Sequence, residues 1–494
     1  TRVRSSAASD VYKRQESDGS IMTDNHSDAL VFFGVTGDLA YKQIFPALQA
    51  MIKRGELDMP VIGVAGRPWT IEQLRDHVRQ SLEEHGGVDE AAFDKLSSLL
   101  QYVSGDYSKS ETYAKLRQAL GSAQRPLHYL AIPPSMFGPV VEGLGQSGSA
   151  KNARVIVEKP FGRDLASAQA LNEILHSVFP ESAIFRIDHY LGKEPVQNVL
   201  YFRFANSFPE PIWNRNYIAC VQITMAENFG VAGRGKFYEE AGAIRDVVQN
   251  HMLQLVSILA MNAPSTEDTD AVRDEKAMLL KSVRPLGPAD VVRGQYRGYR
   301  QEDGVAPDSQ VETFAAVRLF IDSWRWAGVP FYIRAGKHLP VTATEIQVDL
   351  KRPPLAVFGE DEPAQSNYYR FRISPVVKIS VGGRVKIAGE AMRGEEVELV
   401  AIHQSPGEEA PYERLLTSAM RGEEALFVRE DAVEEQWRIV DPILGNVTSV
   451  FEYEPGTWGP PEADKLIESD GGWYNPEPSG DSGTSGPQPA KEEA

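Results

Sequence analysis

The sequence predicts an α/β Rossmann-like N-terminal domain and an α+β C-terminal domain with a large, mainly antiparallel sheet. A chain of 494 residues is too long for one ordinary core, so more than one domain is expected. In the first third, short apolar runs alternate with helical stretches, as they do in βαβ units. After about residue 200 the chain holds many strand-like runs, and several of them alternate in polarity, which is typical of antiparallel sheets with one exposed face.

Composition excludes several classes of partner. The net charge of −18 argues against nucleic-acid and anionic-membrane partners, so an anionic substrate must be bound by a local cluster of Lys, Arg and His. No run of 18 apolar residues occurs, and no membrane-spanning helix is expected. The single cysteine, Cys220, excludes an internal disulfide and suits a reducing compartment, the cytoplasm. It lies in an apolar strand-like run, which predicts a buried structural thiol.

Both ends of the chain differ from the part between them. Residues 1–21 are polar and lack periodicity or a signal-like apolar segment, so we predict a foreign or disordered extension, with translation beginning at Met22. Residues 471–494 are rich in Pro, Gly, Ser and Glu and are predicted to be a disordered tail. Between them we place a dinucleotide-binding domain at 22–198 and a substrate and oligomerisation domain at 199–470.

The first predicted strand, Ala29–Phe33, is a continuous apolar run of the kind found in buried parallel strands. A turn containing Gly34 and Gly37 follows it, and a helix is predicted over Tyr41–Arg54. Dinucleotide-binding turns need small residues so that the backbone can approach a pyrophosphate at a helix N-terminus. Two glycines three apart are a weak signal on their own. Further strands are predicted at Val61–Ala65, His128–Ile132 and Arg154–Val157.

The segment after the second strand bears on the choice of cofactor. NAD enzymes tend to carry an acidic residue there for the ribose, whereas a 2′-phosphate calls for arginine. This segment offers Arg67 and no acid, which indicates NADP. An ordinary exposed loop arginine is the alternative.

In the C-terminal domain a helix is predicted from just after Gly242 to Met261. At about 100° per residue, His251 shares a face with apolar residues, so its imidazole should be partly desolvated and neutral. Asp246 lies about 140° away on that geometry, so the group that orients His251 must come from another segment. From the residues alone, a satisfied core histidine is the commoner explanation. Strands are predicted at Tyr201–Phe204, Ile218–Ile223, Glu312–Phe320, Phe331–Arg334, Glu345–Leu350, Val376–Ser380 and Val397–Ala401.

Near the end of the first predicted domain lies the charged nonapeptide Arg186-Ile-Asp-His-Tyr-Leu-Gly-Lys-Glu194. Pro195 marks the opening of a helix, whose free N–H groups together with Lys193 favour an anion. His189 and Tyr190 add donors, which indicates a phosphate monoester. A solvated turn is the alternative.

This nonapeptide resembles the substrate signature of the glucose-6-phosphate dehydrogenase family, and further similar motifs run in order from Asp28 to about Tyr453. The resemblance implies oxidation of glucose 6-phosphate at C1 to 6-phosphoglucono-lactone, the first step of the oxidative pentose phosphate pathway. It also implies NADP as cofactor, with NAD as a possible secondary acceptor, no metal, and a homodimer or homotetramer formed through the large sheet.

The resemblance further implies the site residues. The segment Arg-Asp-x-x-Gln-Asn-His is similar to the family's catalytic helix, with His251 as general base and Asp188 as its partner. The implied substrate-binding residues are Lys159, His189, Tyr190, Lys193, Glu227, Asp246 and Lys337. The implied cofactor-binding residues are Gly34, Thr36, Gly37, Asp38, Leu39, Lys42, Arg67, Tyr129 and Lys159.

Two departures from the family pattern leave alternatives open. The family usually has a second basic residue five positions after the lysine matched by Lys337, and here that position is Thr342. A weaker phosphate pocket, or a dehydrogenase of another sugar phosphate or of free glucose, is therefore an alternative, as is a non-catalytic NADP-binding protein. Arg67 is displaced by one position from the family's usual arginine, which makes dual use of NAD and NADP an alternative.

Overall fold

The computed structural model describes residues 25–355, 357–358, 366–389, 392–402 and 409–478. These residues form two compact units that interleave along the chain. The first unit comprises the described residues within Thr1–Glu158, Ile174–Ile187 and Tyr412–Leu426, and the second those within Lys159–Glu173, Asp188–Pro411 and Phe427–Ala494. The predicted extension at 1–21 lies outside the described residues.

The first unit is built on a six-stranded parallel sheet. Its strands are β1 (Ala29–Phe33), β2 (Val61–Ala65), β3 (Leu100–Ser104), β4 (Pro126–Leu130), β5 (Arg154–Glu158) and β6 (Ile184–Ile187). The order is β3-β2-β1-β4-β5-β6, so the strand order reverses between β1 and β4. Every residue of β1, β2 and β4 is buried, as continuous apolar runs in a covered parallel sheet require. The prediction of an α/β Rossmann-like domain is confirmed.

Helices connect the strands of the first unit. The helix after β1 starts as a π-helix and continues as an α-helix that ends at Gly55, whose φ of 75° is left-handed. The π- and α-helices are Ala40–Ile44 (π), Phe45–Arg54, Ile71–Glu84, Glu90–Leu99, Ser110–Leu120 and Phe137–Gln146, and the 3₁₀ segments are Pro134–Met136 and Glu181–Ala183. The helix Pro411–Arg421 also belongs to this unit, except for Pro411 itself. Leu165–His176 contributes residues to both units.

The second unit contains a nine-stranded mixed sheet. Its strands are β7 (Ile218–Ala226), β8 (Val291–Tyr296), β9 (Phe314–Phe320), β10 (Pro330–Gly336), β11 (Ala343–Leu350), β12 (Tyr368–Ser374), β13 (Lys378–Lys386), β14 (Gly394–Ile402) and β15 (Val450–Tyr453). The order is β14-β13-β12-β11-β7-β10-β9-β8-β15. Only the β7–β10 and β8–β15 pairings are parallel, so the prediction of a large, mainly antiparallel sheet is confirmed.

One predicted strand of the second unit is wrong. Tyr201–Phe204 lies in the helix Glu194–Ala205, which begins with Pro195 in its first turn. The aromatic run has high strand propensity, but the preceding helix start continues through it, and Arg203 inside the run is fully buried and paired with Glu210. The other helices of this unit are Gly235–Ala243, Ile244–Met252 (π), Leu253–Ala260, Thr269–Ser282, Glu430–Val440 and Glu462–Ile467, with short 3₁₀ segments at His189–Gly192, Glu210–Ile212, Pro288–Asp290, Tyr299–Gln301, Asp441–Ile443 and Glu468–Asp470.

The predicted disordered tail begins too early at Gly471. The Trp473 indole donates to the carbonyl of Ala463 at 3.0 Å, and the Tyr474 N–H donates to the Gln222 side chain at 2.8 Å. Two aromatic residues in a Gly- and Pro-rich stretch are enough to fix it against the second unit. The remainder, residues 479–494, lies outside the described residues. None of the helices in the described part of the chain combines the length and the apolar character needed to cross a bilayer.

Candidate active site

A buried histidine–aspartate pair lies in the second unit. His251 is on the π-helix, and Asp188 precedes the 3₁₀ turn that follows β6 in the chain. The Nδ1 atom of His251 is 2.5 Å from Oδ1 of Asp188, and the two residues are 2% and 1% exposed. The same carboxylate oxygen accepts the N–H of Tyr190 at 3.0 Å, which fixes its orientation. Two residues 63 positions apart therefore meet, and they are the two that the resemblance implied as general base and partner.

The π-helix Ile244–Met252 corrects the predicted helix geometry. An α-helix would set Asp246 about 140° from His251. In a π-helix the backbone bonds run from residue i to i+5, so residues five apart lie on one side. Asp246 and His251 accordingly both contact Lys159. No feature of the sequence distinguishes this helix from an α-helix, but π-turns occur frequently at functional sites.

Lys159 is the third member of this cluster. Its Nζ lies 2.9 Å from Nε2 of His251, 3.1 Å from the backbone oxygen of Asp246 and 3.4 Å from the Asp246 carboxylate. Because an ammonium only donates, Nε2 must be the accepting nitrogen, and the proton of the neutral ring sits on Nδ1 facing Asp188. Nε2 is thus the basic atom of the site.

The electrostatics of the pair favour a neutral imidazole beside an ionised carboxylate. Burial lowers the pKa of His251; the Asp188 carboxylate opposes this, and the Lys159 charge adds to the lowering. Burial alone would raise the pKa of Asp188, but His251, His189 and Lys159 outweigh it, and the pKa stays below its ordinary value. The result is an imidazole that is neutral at neutral pH, as a general base must be.

Two of the three residues predicted to bind phosphate contact the His251 ring, and the third contacts one of those two. The Tyr190 ring stacks on the His251 ring at 4.4 Å, and the His189 ring meets it edge-on at 4.7 Å. The Nζ of Lys193 is 4.4 Å from the centre of the Tyr190 ring. Burial, with the nearby charges of His251, Lys159 and Lys193, holds the pKa of His189 well below its ordinary value.

Tyr190 is buried more deeply than a side chain on the protein surface. It is 3% exposed, and its hydroxyl lies 3.0 Å from Oγ1 of Thr344 on β11. No motif or periodicity indicated Thr344, because its contact with Tyr190 spans 154 positions of the chain.

The remaining predicted sugar-binding residues form a second charged pair. Nζ of Lys337 is 2.7 Å from Oε2 of Glu227, and both side chains are largely buried. Burial would raise the pKa of Asp246, but Lys159 and Lys337 outweigh it and the pKa is lowered. The charge of Lys337 thus acts on Asp246, one of the residues that Lys159 contacts.

Thr342 lies beside this pair. Its hydroxyl donates to the side-chain oxygen of Asn228 at 2.7 Å and accepts the N–H of Asn228 at 3.1 Å. The residue is exposed, so the position where the family usually has a cation is open to solvent here.

In the first unit, the glycine turn follows β1 at the point where the strand order reverses, which is where such sheets bind ligands. Gly34 has a φ of 82°, and a Cβ built on it would lie 2.1 Å from the carbonyl oxygen of Ala131. The N–H of Gly37 donates to the carbonyl of Gly34 at 2.9 Å. The other predicted residues of this segment, in the turn and the first turns of the helix, are Thr36, Asp38, Leu39 and Lys42. Gly34 thus lets the turn pack closely against the end of β4, and the turn leads into a helix N-terminus, which fits a nucleotide pyrophosphate.

Tyr107 supports this turn and was not predicted. The N–H of Gly34 donates to the Tyr107 hydroxyl at 3.0 Å, and that hydroxyl donates to the carbonyl of Val64 at 3.1 Å. Burial raises the pKa of Tyr107 to about 12, so the hydroxyl keeps its proton. Tyr107 therefore ties the ends of β1 and β2 together.

Tyr129 and Arg67 differ in exposure. Tyr129 was predicted to line the cofactor pocket, but it is fully buried, and its hydroxyl donates to the carboxylate of Glu158. Arg67 is exposed after β2, with its guanidinium 5.2 Å from the centre of the Trp69 ring and its backbone oxygen accepting from Tyr102. Arg67 is therefore available to a ligand at the carboxyl edge of the sheet, whereas Tyr129 contributes to the packing of the sheet.

A parallel sheet with a tight glycine turn at its switch point, and a second unit with a buried histidine hydrogen-bonded to aspartate, are features of nicotinamide-dependent dehydrogenases. Comparison with known protein families narrows this class to one family. Residues 31–198 match the glucose-6-phosphate dehydrogenase NAD binding domain, and residues 200–475 match the C-terminal domain of the same family. The chain belongs to the glucose-6-phosphate dehydrogenase family.

Individual relatives agree with this assignment. The chain is 44% identical over 454 residues to glucose-6-phosphate 1-dehydrogenase 1 of Mycobacterium tuberculosis, covering 91% of this chain and 97% of that protein. It resembles the crystal structure of glucose-6-phosphate 1-dehydrogenase from Mycobacterium avium with a TM-score of 0.87 and 43% identity, covering 92% and 99% of the two chains. A glucose-6-phosphate dehydrogenase in complex with its substrate glucose-6-phosphate aligns with a TM-score of 0.84 and 34% identity over 92% and 99%.

Proposed function

We propose that this chain oxidises glucose 6-phosphate at C1 to 6-phosphoglucono-lactone, with NADP as the hydride acceptor and His251 as the general base. The observation that carries the proposal is the contact of 2.5 Å between His251 and Asp188, with Lys159 at the opposite ring nitrogen. A binding-only protein has no need of a buried neutral imidazole that is oriented in this way. Membership of the family supports the substrate.

The proton is taken by the nitrogen that Lys159 now contacts. As the sugar binds, its C1 hydroxyl replaces the ammonium at Nε2 of His251, and Lys159 keeps its contacts with Asp246. His251 removes the hydroxyl proton and becomes an imidazolium. Asp188, already 2.5 Å from Nδ1, stabilises the positive ring and keeps it in place. Bound NADP supplies the acceptor for the hydride that leaves C1.

The other charged residues hold the sugar phosphate. His189, Tyr190 and Lys193 act as donors to the 6-phosphate, and a neutral His189 still has an N–H to donate. The sugar hydroxyls are bound by Asp246, Glu227 and Lys337, where carboxylates accept and ammonium groups donate. Lys159 contacts both His251 and Asp246, which supports a role for it in both binding and catalysis.

The direct test is an assay of NADPH formation by its near-ultraviolet absorbance, with glucose 6-phosphate, free glucose and other sugar phosphates as substrates. Glucose 6-phosphate should give the largest kcat/KM. A higher value for free glucose or for another sugar phosphate would contradict the proposed substrate, and no turnover with any of them would contradict the enzymatic role.

We infer a preference for NADP over NAD from Arg67. Replacing Arg67 with serine should raise KM for NADP about tenfold, because a charge-assisted bond to the 2′-phosphate is lost, and should leave KM for NAD unchanged. Steady-state kinetics with both cofactors measures this. Arg79→Ser is a matched control, since Arg79 is an arginine of the same unit that pairs with Glu90 instead. An equal rise of KM for NAD and NADP would show that Arg67 does not bind the 2′-phosphate.

Binding of the 6-phosphate should become tighter if a cation is introduced at position 342. Thr342→Lys is expected to lower KM for glucose 6-phosphate about tenfold, because one more charge-assisted bond becomes available to the phosphate. KM for free glucose should not change, and Thr342→Ser, which keeps the hydroxyl bonded to Asn228, should behave like the unmodified chain. An unchanged KM in Thr342→Lys would mean that another group already supplies the charge.

The homodimer or homotetramer implied by the resemblance is also a proposal. Strand β14 lies at the end of the large sheet, and its side chains Leu399, Val400 and Ile402 are exposed. Apolar side chains on an edge strand support a contact between copies of the chain there.

A further inference from the structure

The turn that carries Lys337 has an unfavourable backbone conformation. His338, the next residue, has a φ of 50°, in the left-handed region that residues other than glycine rarely occupy. Such conformations persist only where the surroundings over-determine them, and they cluster at functional sites. Here the neighbouring Lys337 directs its ammonium to Glu227 at 2.7 Å.

One side of this turn is held by the segment that carries Glu227. The N–H of His338 donates to the carbonyl of Phe229 at 3.0 Å, and the N–H of Leu339 donates to the carbonyl of Glu227 at 2.9 Å. The turn and the carboxylate that meets Lys337 are therefore fixed to each other through their backbones.

The other side is held by residues at and after the end of β15. The hydroxyl of Tyr453 donates to the carbonyl oxygen of Lys337 at 2.6 Å, and the N–H of Gly456 donates to the carbonyl of His338 at 2.7 Å. Tyr453 is 3% exposed, and its hydroxyl oxygen lies 3.2 Å from Oγ1 of Thr313. Since the Tyr453 proton goes to Lys337, the Thr313 hydroxyl is the donor in that second contact. The Tyr453 hydroxyl thus donates one hydrogen bond and accepts another, and the two bonds fix its position.

We propose that Tyr453 is a positioning residue for substrate binding: its hydroxyl holds the Lys337–His338 turn in the left-handed conformation that points Lys337 at the sugar. Without the hydroxyl, the buried Lys337 carbonyl loses its partner and the turn can relax toward negative φ. The Lys337 ammonium then no longer meets Glu227 in a fixed place. The inference rests on the proposed role of Lys337 in binding glucose 6-phosphate.

The test is Tyr453→Phe, which removes one oxygen and keeps the ring. KM for glucose 6-phosphate should rise about fivefold, while kcat and KM for NADP change less than about twofold, because the base and the nucleotide turn do not depend on this bond. Tyr332→Phe is the matched control. Tyr332 is a buried tyrosine on β10 whose hydroxyl donates to Asp470 at 2.6 Å, away from the turn. An equal rise of KM in Tyr332→Phe would overturn the proposal.

A double variant separates this inference from the proposed role of Lys337. If Tyr453 acts through Lys337, then Tyr453→Phe should have no further effect on KM in a Lys337→Gln background. If the two rises in KM multiplied in the double variant, Tyr453 would act independently of Lys337, and the positioning role would be overturned. Should Lys337→Gln alone leave KM unchanged, the binding role of Lys337 would fail, and the Tyr453 inference with it.

Hydrogen exchange of the amides at 337–339 gives a second readout. Exchange is expected to speed up in Tyr453→Phe and not in Tyr332→Phe. Unchanged exchange in Tyr453→Phe would contradict the proposal.

Discussion

Replacing His251 with asparagine is expected to lower kcat for glucose 6-phosphate oxidation by about 10³-fold, within the range that a positioned base contributes. Asparagine is similar in size and can still donate to Asp188, so the buried carboxylate keeps a partner and the site should stay folded. It offers no basic nitrogen at the position of Nε2, the atom that now faces Lys159. The dissociation constant for glucose 6-phosphate, measured by calorimetry, should change less than about threefold.

His189→Asn is the control for this experiment. Its ring is 4.7 Å from that of His251 and the residue is half-buried, yet the proposed role of His189 is to donate to the phosphate. We therefore expect a higher KM and only a modest fall in kcat. If His251→Asn kept kcat within about tenfold of the unmodified chain, or if His189→Asn lost kcat to the same degree, His251 would not be the base.

The sequence predicted the architecture because hydrophobic periodicity and turn residues are local properties. The strands Ala29–Phe33 and Val61–Ala65 have the predicted bounds, since each is a continuous apolar run followed by a glycine or small-residue turn. Tyr201–Phe204 shows the limit of this reasoning. Strand propensity there is outweighed by a helix whose start, at Glu194 and Pro195, had itself been recognised in the sequence.

The resemblance selected the residues of the candidate site but did not predict their geometry. A motif match selected His251 and Asp188, but the π-helix that brings Asp246 onto the same side as His251 leaves no trace in residue spacing. Tyr107 and Tyr453 act through single hydroxyl groups on backbone atoms 73 and 116 positions away. Nothing in one sequence separates such tyrosines from ordinary core tyrosines, because the contacts exist only once the sheets have formed.

Lys159→Gln is expected to lower kcat/KM for glucose 6-phosphate by about 10²-fold and to move its acid limb to higher pH. The amide can still donate to Nε2 of His251, so the variant removes the charge and keeps a donor. Burial lowers the pKa of His251, and the Lys159 ammonium contributes to the lowering. Because His251 must be neutral to act as a base, kcat/KM of the unmodified chain should rise with pH and reach its plateau below the ordinary histidine value of about 6.5. With the ammonium gone, the imidazolium is less disfavoured, the pKa rises, and the plateau is reached at higher pH.

The pH profile of kcat/KM measures this shift, since it reports groups of the free enzyme. Lys193→Gln is the matched control: this lysine lies over the Tyr190 ring and lowers the pKa of His189, whereas Lys159 is the lysine that contacts His251. Lys193→Gln should raise KM for glucose 6-phosphate and leave the acid limb in place. A Lys159→Gln profile that kept the native acid limb would show that the ammonium does not set the basicity of His251. A shift of the same size in both variants would indicate a general charge effect of the pocket, because Lys159 contacts Nε2 of His251 whereas Lys193 lies over the Tyr190 ring.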